Sequence, residues 1–202
     1  MRTDITIQSF LSGLLLMGAC FLGMMTGVGA LVVIVSYFWP GLVFAFLLLQ
    51  HLSEQVSAKK KVLLVLFSTA IHIACVFFVD VAHGDEVWTP VKLVMASSIG
   101  ALLLSLAYDL LLFRRMRIIK TLVVPLLFGF IASLLSAFCL YYLHQVDFQQ
   151  HELEILLWAG VFSIFPIWYS LMALNIKTRH KAAANIGFKQ YGLLEKFSTH
   201  YL

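Results

Sequence analysis

His72 is the first candidate for chemistry, because it is an ionisable residue near the middle of a long apolar stretch, FSTAIHIACVF. Ser68, His72 and Cys75 recur at i, i+4 and i+7, so they share one face of a helix. Such a histidine is either hydrogen-bonded between helices or lines a cavity that holds a solute. A haem held by two histidines is not expected, because no second histidine lies at the same depth in another apolar stretch.

Asp109 is the second candidate, at the end of the apolar stretch SSIGALLLSLAYD. Ser98, Ser105 and Asp109 lie on one helical stripe, which is expected to face other helices. Asp109 precedes Arg114 by roughly 7 Å at about 1.5 Å per residue, within reach of an interface. The favoured interpretation is an anchor that pairs with Arg114 and Arg115. The alternative is a proton or cation relay.

Ser68, His72, Ser98, Ser105 and Asp109 together form the predicted intramembrane polar site. An enzyme is the less favoured function, because Ser68 and His72 could meet at i, i+4 but no third group orients the base. The sequence contains no P-loop, HExxH or GxSxG motif. No catalytic residue and no cofactor are therefore predicted.

The segment HQVDFQQHELE contains a weaker pattern, made by His144, Asp147, His151 and Glu154. Their offsets of 0, 3, 7 and 10 would fall on one helical face, and these side chains can bind a divalent metal. However, the chain must turn here between two apolar stretches, and no ligand pair has the close spacing of a zinc site. The favoured interpretation is a solvated loop, with a metal site as the alternative.

The elements that must position these residues are predicted to be membrane-spanning helices. Of the 202 residues, 61% are hydrophobic and 12% are charged, unlike an average soluble domain. A helix needs about 20 mostly apolar residues to cross a bilayer. Six stretches meet this requirement, at residues 9–27, 31–52, 62–79, 91–113, 121–143 and 155–176. The first two are expected to be separated at Thr26–Gly29, where two glycines favour a turn, with Tyr37–Gly41 as the alternative.

The distribution of basic residues supports six spans and predicts their orientation. With six spans, 13 of the 14 Lys/Arg residues lie on one side of the membrane, and only Lys92 lies on the other. Because cytoplasmic loops are rich in Lys and Arg, both termini are predicted to be cytoplasmic. The predicted fold is an all-α bundle of six transmembrane helices in an inner membrane, followed by a basic cytoplasmic tail at residues 177–202.

These features predict a small permease-like or channel-like subunit that binds or moves a small solute. Pro40, Pro125 and Pro166 lie inside predicted spans, and transporters use such interrupted helices around binding sites. The alternative is a non-transporting scaffold or assembly subunit of an envelope complex. The expected partners are the lipid bilayer, a small molecule, and another membrane protein or a second copy of this chain. Nucleic acid is not expected, because the net charge of +4 is small.

Overall fold

The computed structural model describes residues 4–27, 29–51, 56–80, 88–113, 119–143, 145 and 151–179. These residues are almost entirely helical and include no strand, so the predicted all-α class is confirmed for the described chain. The helices are α1 Ile5–Met25, α2 Gly29–His51, α3 Ala58–Asp80, α4 Trp88–Tyr108, α5 Val124–Leu143, α6 His151–Phe162 and α7, residues 164–179. A π-helical turn, Asp109–Phe113, extends α4, and another, Ile119–Val123, leads into α5.

Within the part of the chain that the structure describes, five helical stretches are long and apolar enough to cross a membrane. They are Ile5–Gly23, Ala58–Val79, Thr89–Leu111, Thr121–Leu143 and Ile155–Arg179. A shorter apolar stretch, Val35–Gln50, lies in α2, whose 23 residues give a length of about 34 Å. The structure is thus compatible with a membrane bundle. The count of six spans and the cytoplasmic position of the termini stay predictions.

The turn between α1 and α2 lies at Thr26 and Gly27, the first of the two segments that the sequence indicated. Gly27 has a φ of 71°, a left-handed conformation that glycine adopts without a steric penalty. The Thr26 hydroxyl donates to the carbonyl of Leu22 at 2.9 Å, which satisfies an acceptor at the end of α1. Around Tyr37–Gly41, by contrast, the chain is helical, and Pro40 lies within α2.

Helices that are consecutive in sequence pack against each other from α1 to α6, and α6 also contacts α1. This arrangement is typical of a bundle with short connections. A buried cluster that includes Phe44, Leu48, Leu104, Tyr108 and Met172 forms the core between α2, α4 and α7. Large apolar side chains such as those of α1 and α3 are exposed on the outside, as expected for surfaces that face lipid.

The last span is interrupted where α6 ends and α7 begins, at Ser163. Pro166 has no N–H to donate to the carbonyl of Phe162, so the regular helix cannot continue through this turn. Gly13 of α1 packs directly against the backbone of Pro166 and leaves no room for a side chain. The interruption therefore coincides with a close approach of two helices, which small residues allow.

Candidate functional site

A cavity of about 210 Å³ lies between α2, α3, α4, α6 and α7. It extends from the middle of the bundle towards Val79, near the end of α3, and Leu93, near the start of α4. Most of its wall is apolar. The residues of its wall that carry a hydroxyl, thiol, imidazole or indole group are Ser36, Ser68, His72, Cys75, Ser97, Trp168 and Tyr169.

His72 holds α3 against α2 at the wall of this cavity. Its Nε2 lies 2.8 Å from the carbonyl oxygen of Ser36, which can only accept, so Nε2 carries the proton and donates. Ser36 lies four residues before Pro40, and Pro40 lacks the N–H that would normally bond this carbonyl. His72 therefore satisfies an acceptor that α2 itself leaves open.

Two further side chains donate to backbone carbonyls at or next to Pro40. The Ser68 hydroxyl of α3 donates to the carbonyl of Gly41 at 2.8 Å. The Tyr169 hydroxyl of α7 donates to the carbonyl of Pro40. Gly41 also lets α3 approach closely, because a Cβ there would lie 2.8 Å from the carbonyl oxygen of Ser68. Pro40 thus concentrates polar contacts from two neighbouring helices on one turn of α2.

The opposite wall of the cavity has a similar arrangement between α4, α5 and α7. The Ser97 hydroxyl donates to the carbonyl of Gly129 at 2.8 Å, and Trp168 Nε1 donates to the carbonyl of Ser97 at 3.4 Å. Gly129 has no room for a side chain, because a Cβ there would lie 2.6 Å from the Cα of Ser98. These bonds fix the positions of the helices and use the donors that the wall contains.

The inner limit of the cavity is aromatic and closely packed. The ring of Phe44 lies 5.3 Å from that of Trp168 and 5.1 Å from that of Tyr169, measured between centroids. Beyond this layer, Tyr108 and Met172 belong to the same buried core. The core separates the cavity from a polar cluster at the other end of α4 and α7.

Asp109 is the centre of that polar cluster. Its Oδ1 accepts from Nη1 of Arg179 at 2.8 Å, and its Oδ2 accepts from the Thr121 hydroxyl. The side chains of Arg179 and Asp109 are only 6% and 4% exposed. Asp109 and Thr121 both lie in π-helical turns, which are frequent at functional sites and distort the backbone locally. This is a buried ion pair. The expected interfacial pairing of Asp109 with Arg114 and Arg115 stays a prediction. Those two arginines lie outside the described residues.

The Arg179 side chain is only partly satisfied by this pair. Its Nε and Nη2 are buried and have no hydrogen-bond partner in the described chain, and the same holds for Asn175 Nδ2 one turn earlier. The guanidinium lies 5.8 Å from the centroid of the Tyr108 ring, a cation–π distance that compensates in part. Buried donors without partners cost free energy, so Asp109 is the main group that stabilises Arg179 in this position.

No protein-family model matches this chain, and no curated protein and no solved structure matches it. The apolar helices indicate a multi-pass membrane protein. The cavity and the buried ion pair are therefore the features from which a function can be inferred.

The structure separates the five predicted site residues into two groups. Ser68 and His72 line the cavity, whereas Ser98, Ser105 and Asp109 do not. The Ser98 hydroxyl donates to its own helix, to the carbonyl of Val94 at 2.8 Å. Ser105 and Asp109 are buried, and Asp109 is the centre of the polar cluster described above. Their common stripe on α4 thus leads away from the cavity.

The predicted metal ligands cannot be placed in this structure. His144 and Asp147 lie outside the described residues, and so do the side chains of His151 and Glu154. Among the residues that are described, no three His, Cys, Asp or Glu side chains come together as a metal site would require. The metal interpretation stays a prediction.

Four important residues were not predicted from the sequence as site residues: Ser97, Trp168, Tyr169 and Arg179. A signal for the role of His72 was available, because Pro40 inside a span must leave a carbonyl that another helix satisfies. Arg179 was assigned to the basic tail by its charge. Nothing local in the sequence indicates that its side chain is buried in the bundle next to Asp109.

Proposed function

We propose that this protein is a subunit of an inner membrane that binds a small, largely apolar solute in the cavity around His72. The observation that carries the proposal is the cavity itself, about 210 Å³ between five helices. An engineered apolar cavity of about 150 Å³ is large enough to bind benzene. The cavity of this protein therefore has room for a molecule with a single ring or two fused rings.

Binding is better supported than transport through the bundle. Small apolar molecules partition into hydrocarbon and cross a bilayer unaided, so a carrier adds little for them. On the side opposite to Val79 and Leu93, the packed layer of Phe44, Tyr108 and Met172 lies between the cavity and the ion pair. A protein with such a site would hold its solute, for detection or for transfer to a partner.

The membrane and its orientation belong to the same proposal. Thirteen of the 14 Lys/Arg residues would lie on the side of both termini if the chain crosses the membrane six times. This bias supports cytoplasmic termini, since basic residues are retained on the cytoplasmic side. The cavity would then lie in the half of the membrane that is farther from the cytoplasm.

Thermal unfolding of the purified protein in detergent tests solute binding, with indene as an apolar probe. Ala96 is buried at the cavity wall, so Ala96→Phe should fill the cavity. Ile99 on the same helix is 44% exposed and is not part of the wall, so Ile99→Phe is the matched control. A ligand at about 100 times its Kd stabilises the folded state by about 2.7 kcal/mol.

Indene should raise the Tm of the wild type and of Ile99→Phe, and it should have little effect on Ala96→Phe. An equal rise in all three proteins would show that indene binds elsewhere. That result would exclude the cavity as the binding site and favour the scaffold or assembly function.

A further inference from the structure

The donors on the cavity wall are already used. His72, Ser68, Ser97, Trp168 and Tyr169 each donate to a backbone carbonyl. Each of these bonds connects two helices, so releasing a donor to a solute would break an interhelical contact. Releasing His72 would also leave the Ser36 carbonyl unsatisfied inside the bundle. Two other groups remain on the described wall. The Cys75 thiol is a weak donor, and Ser36 already interacts with another group.

The cavity offers acceptors instead. Because Nε2 of a neutral His72 carries the proton, Nδ1 is an acceptor, and no described residue donates to it. The hydroxyl oxygens of Ser68 and Ser97 retain lone pairs while they donate. A solute therefore meets a mainly apolar wall with acceptors and almost no free donors.

We infer that the solute is a neutral, ring-sized molecule with a hydroxyl or N–H group that donates to Nδ1 of His72. This inference rests on the proposed function, because it specifies which molecule the cavity binds. Carboxylates and phosphates are excluded, since a buried anion needs donors or a counter-charge, and this wall has neither to spare. Ketones and ethers of the same size would fit the cavity by shape. Their oxygens can only accept hydrogen bonds, however, and would face acceptors on the wall.

Indole and indene test the inference, because they have the same shape and differ in an N–H against a CH₂ group. Their affinities are measured from the rise in Tm of the wild-type protein, at equal mole fractions in the detergent micelles. Indole should bind about 2- to 10-fold more tightly, the range expected for one hydrogen bond. In His72→Phe the two affinities should become equal. Ser98→Ala, a change outside the cavity wall, should keep the preference.

Each other outcome contradicts a different part of the inference. Equal binding of indole and indene by the wild type would exclude the donor requirement and leave the solute cavity standing. A preference for indole that persists in His72→Phe would exclude Nδ1 as the acceptor. No effect of either probe would overturn the proposed function itself.

Two further probes do not depend on the His72 variant. If His72→Phe does not fold, the wild-type protein is tested with 1-methylindole, in which a methyl group replaces the N–H donor of indole. It should lose the advantage of indole in the wild-type protein, and equal binding would contradict the inference. Indole-3-carboxylate should give no rise in Tm, and a rise would show that the cavity accepts anions.

Discussion

His72 and Ser36 form a hydrogen bond of 2.8 Å that connects α3 to α2. The bond exists because Pro40, four residues after Ser36, cannot supply the N–H that a regular helix uses at this position. His72 thus supports the bundle, and in the proposal above its other ring nitrogen accepts from the solute. The first role can be tested without knowing the solute.

A double-mutant cycle should reveal the dependence of His72 on Pro40. His72→Phe alone should lower the free energy of unfolding by about 1–2 kcal/mol, as expected for the loss of an interhelical hydrogen bond. Pro40→Ala introduces an N–H that can bond the Ser36 carbonyl within α2, so His72→Phe should cost less in that background. Unfolding in detergent gives the four free energies. An equal cost in both backgrounds would contradict the pairing.

Asp109→Asn should destabilise the protein strongly, because it leaves the buried charge of Arg179 without its partner. Removing one member of a buried pair costs about 3–5 kcal/mol, whereas an exposed pair contributes about 0–1 kcal/mol. The double variant Asp109→Asn/Arg179→Gln removes both charges and should recover part of the loss. A loss below about 1 kcal/mol for Asp109→Asn would instead support the original expectation of an exposed anchor.

Asp4 should make the stability of the fold depend on pH between about 4 and 2. It lies just before α1, where Lys177 of α7 and the backbone N–H of Thr6 donate to it. Two hydrogen bonds lower the pKa of Asp4 from 3.8 to about 2, and the bond from Lys177 has a larger effect than the bond from Thr6. Since the pKa is lower in the folded state, the contribution is present above the unfolded pKa and is lost as the pH falls to about 2.

The comparison of wild type with Asp4→Asn isolates this effect. Asparagine can still cap α1 but carries no charge, so its Tm should fall less than that of the wild type between pH 5 and 2. Superimposable pH profiles would mean that the contact with Lys177 contributes nothing to folding.

Gly129→Ala should destabilise the contact between α4 and α5. A Cβ at this position would lie 2.6 Å from the Cα of Ser98, a backbone atom that cannot rotate away. Overpacking of this kind costs about 1–3 kcal/mol. Gly18→Ala is the control, because nothing lies within 4 Å of a Cβ there, and it should be neutral or stabilising by up to about 1 kcal/mol. Equal Tm values for the two variants would contradict the close approach.

Reporter fusions test the proposed orientation. Fusions after Lys61, Lys120 and Leu202 should all give a cytoplasmic signal, because the basic residues lie in these connections and in the tail. A reporter that is active only outside the cytoplasm should work when it is inserted near Asp85. A non-cytoplasmic signal at any of the first three positions would contradict six spans.

The features that depend only on residues close together in the sequence, namely helices, a turn and a shared helical face, could be predicted from it. Long apolar stretches produced helices, because a backbone in an apolar environment must satisfy its own hydrogen bonds. The two glycines near Thr26 indicated the turn, since Gly27 adopts a left-handed conformation that other residues avoid. The shared face of Ser68, His72 and Cys75 followed from helical periodicity alone, and all three residues line one cavity.

The choice of partners was decided only by the tertiary structure. Ser97 and Ser98 are adjacent and chemically identical, but a rotation of about 100° per residue places only Ser97 on the cavity wall. Asp109 has arginines nearby in sequence, yet it pairs with Arg179, 70 residues away, because the bundle brings the ends of α4 and α7 together. Periodicity determines which residues of one helix point the same way. The order and rotation of the packed helices determine what those residues meet.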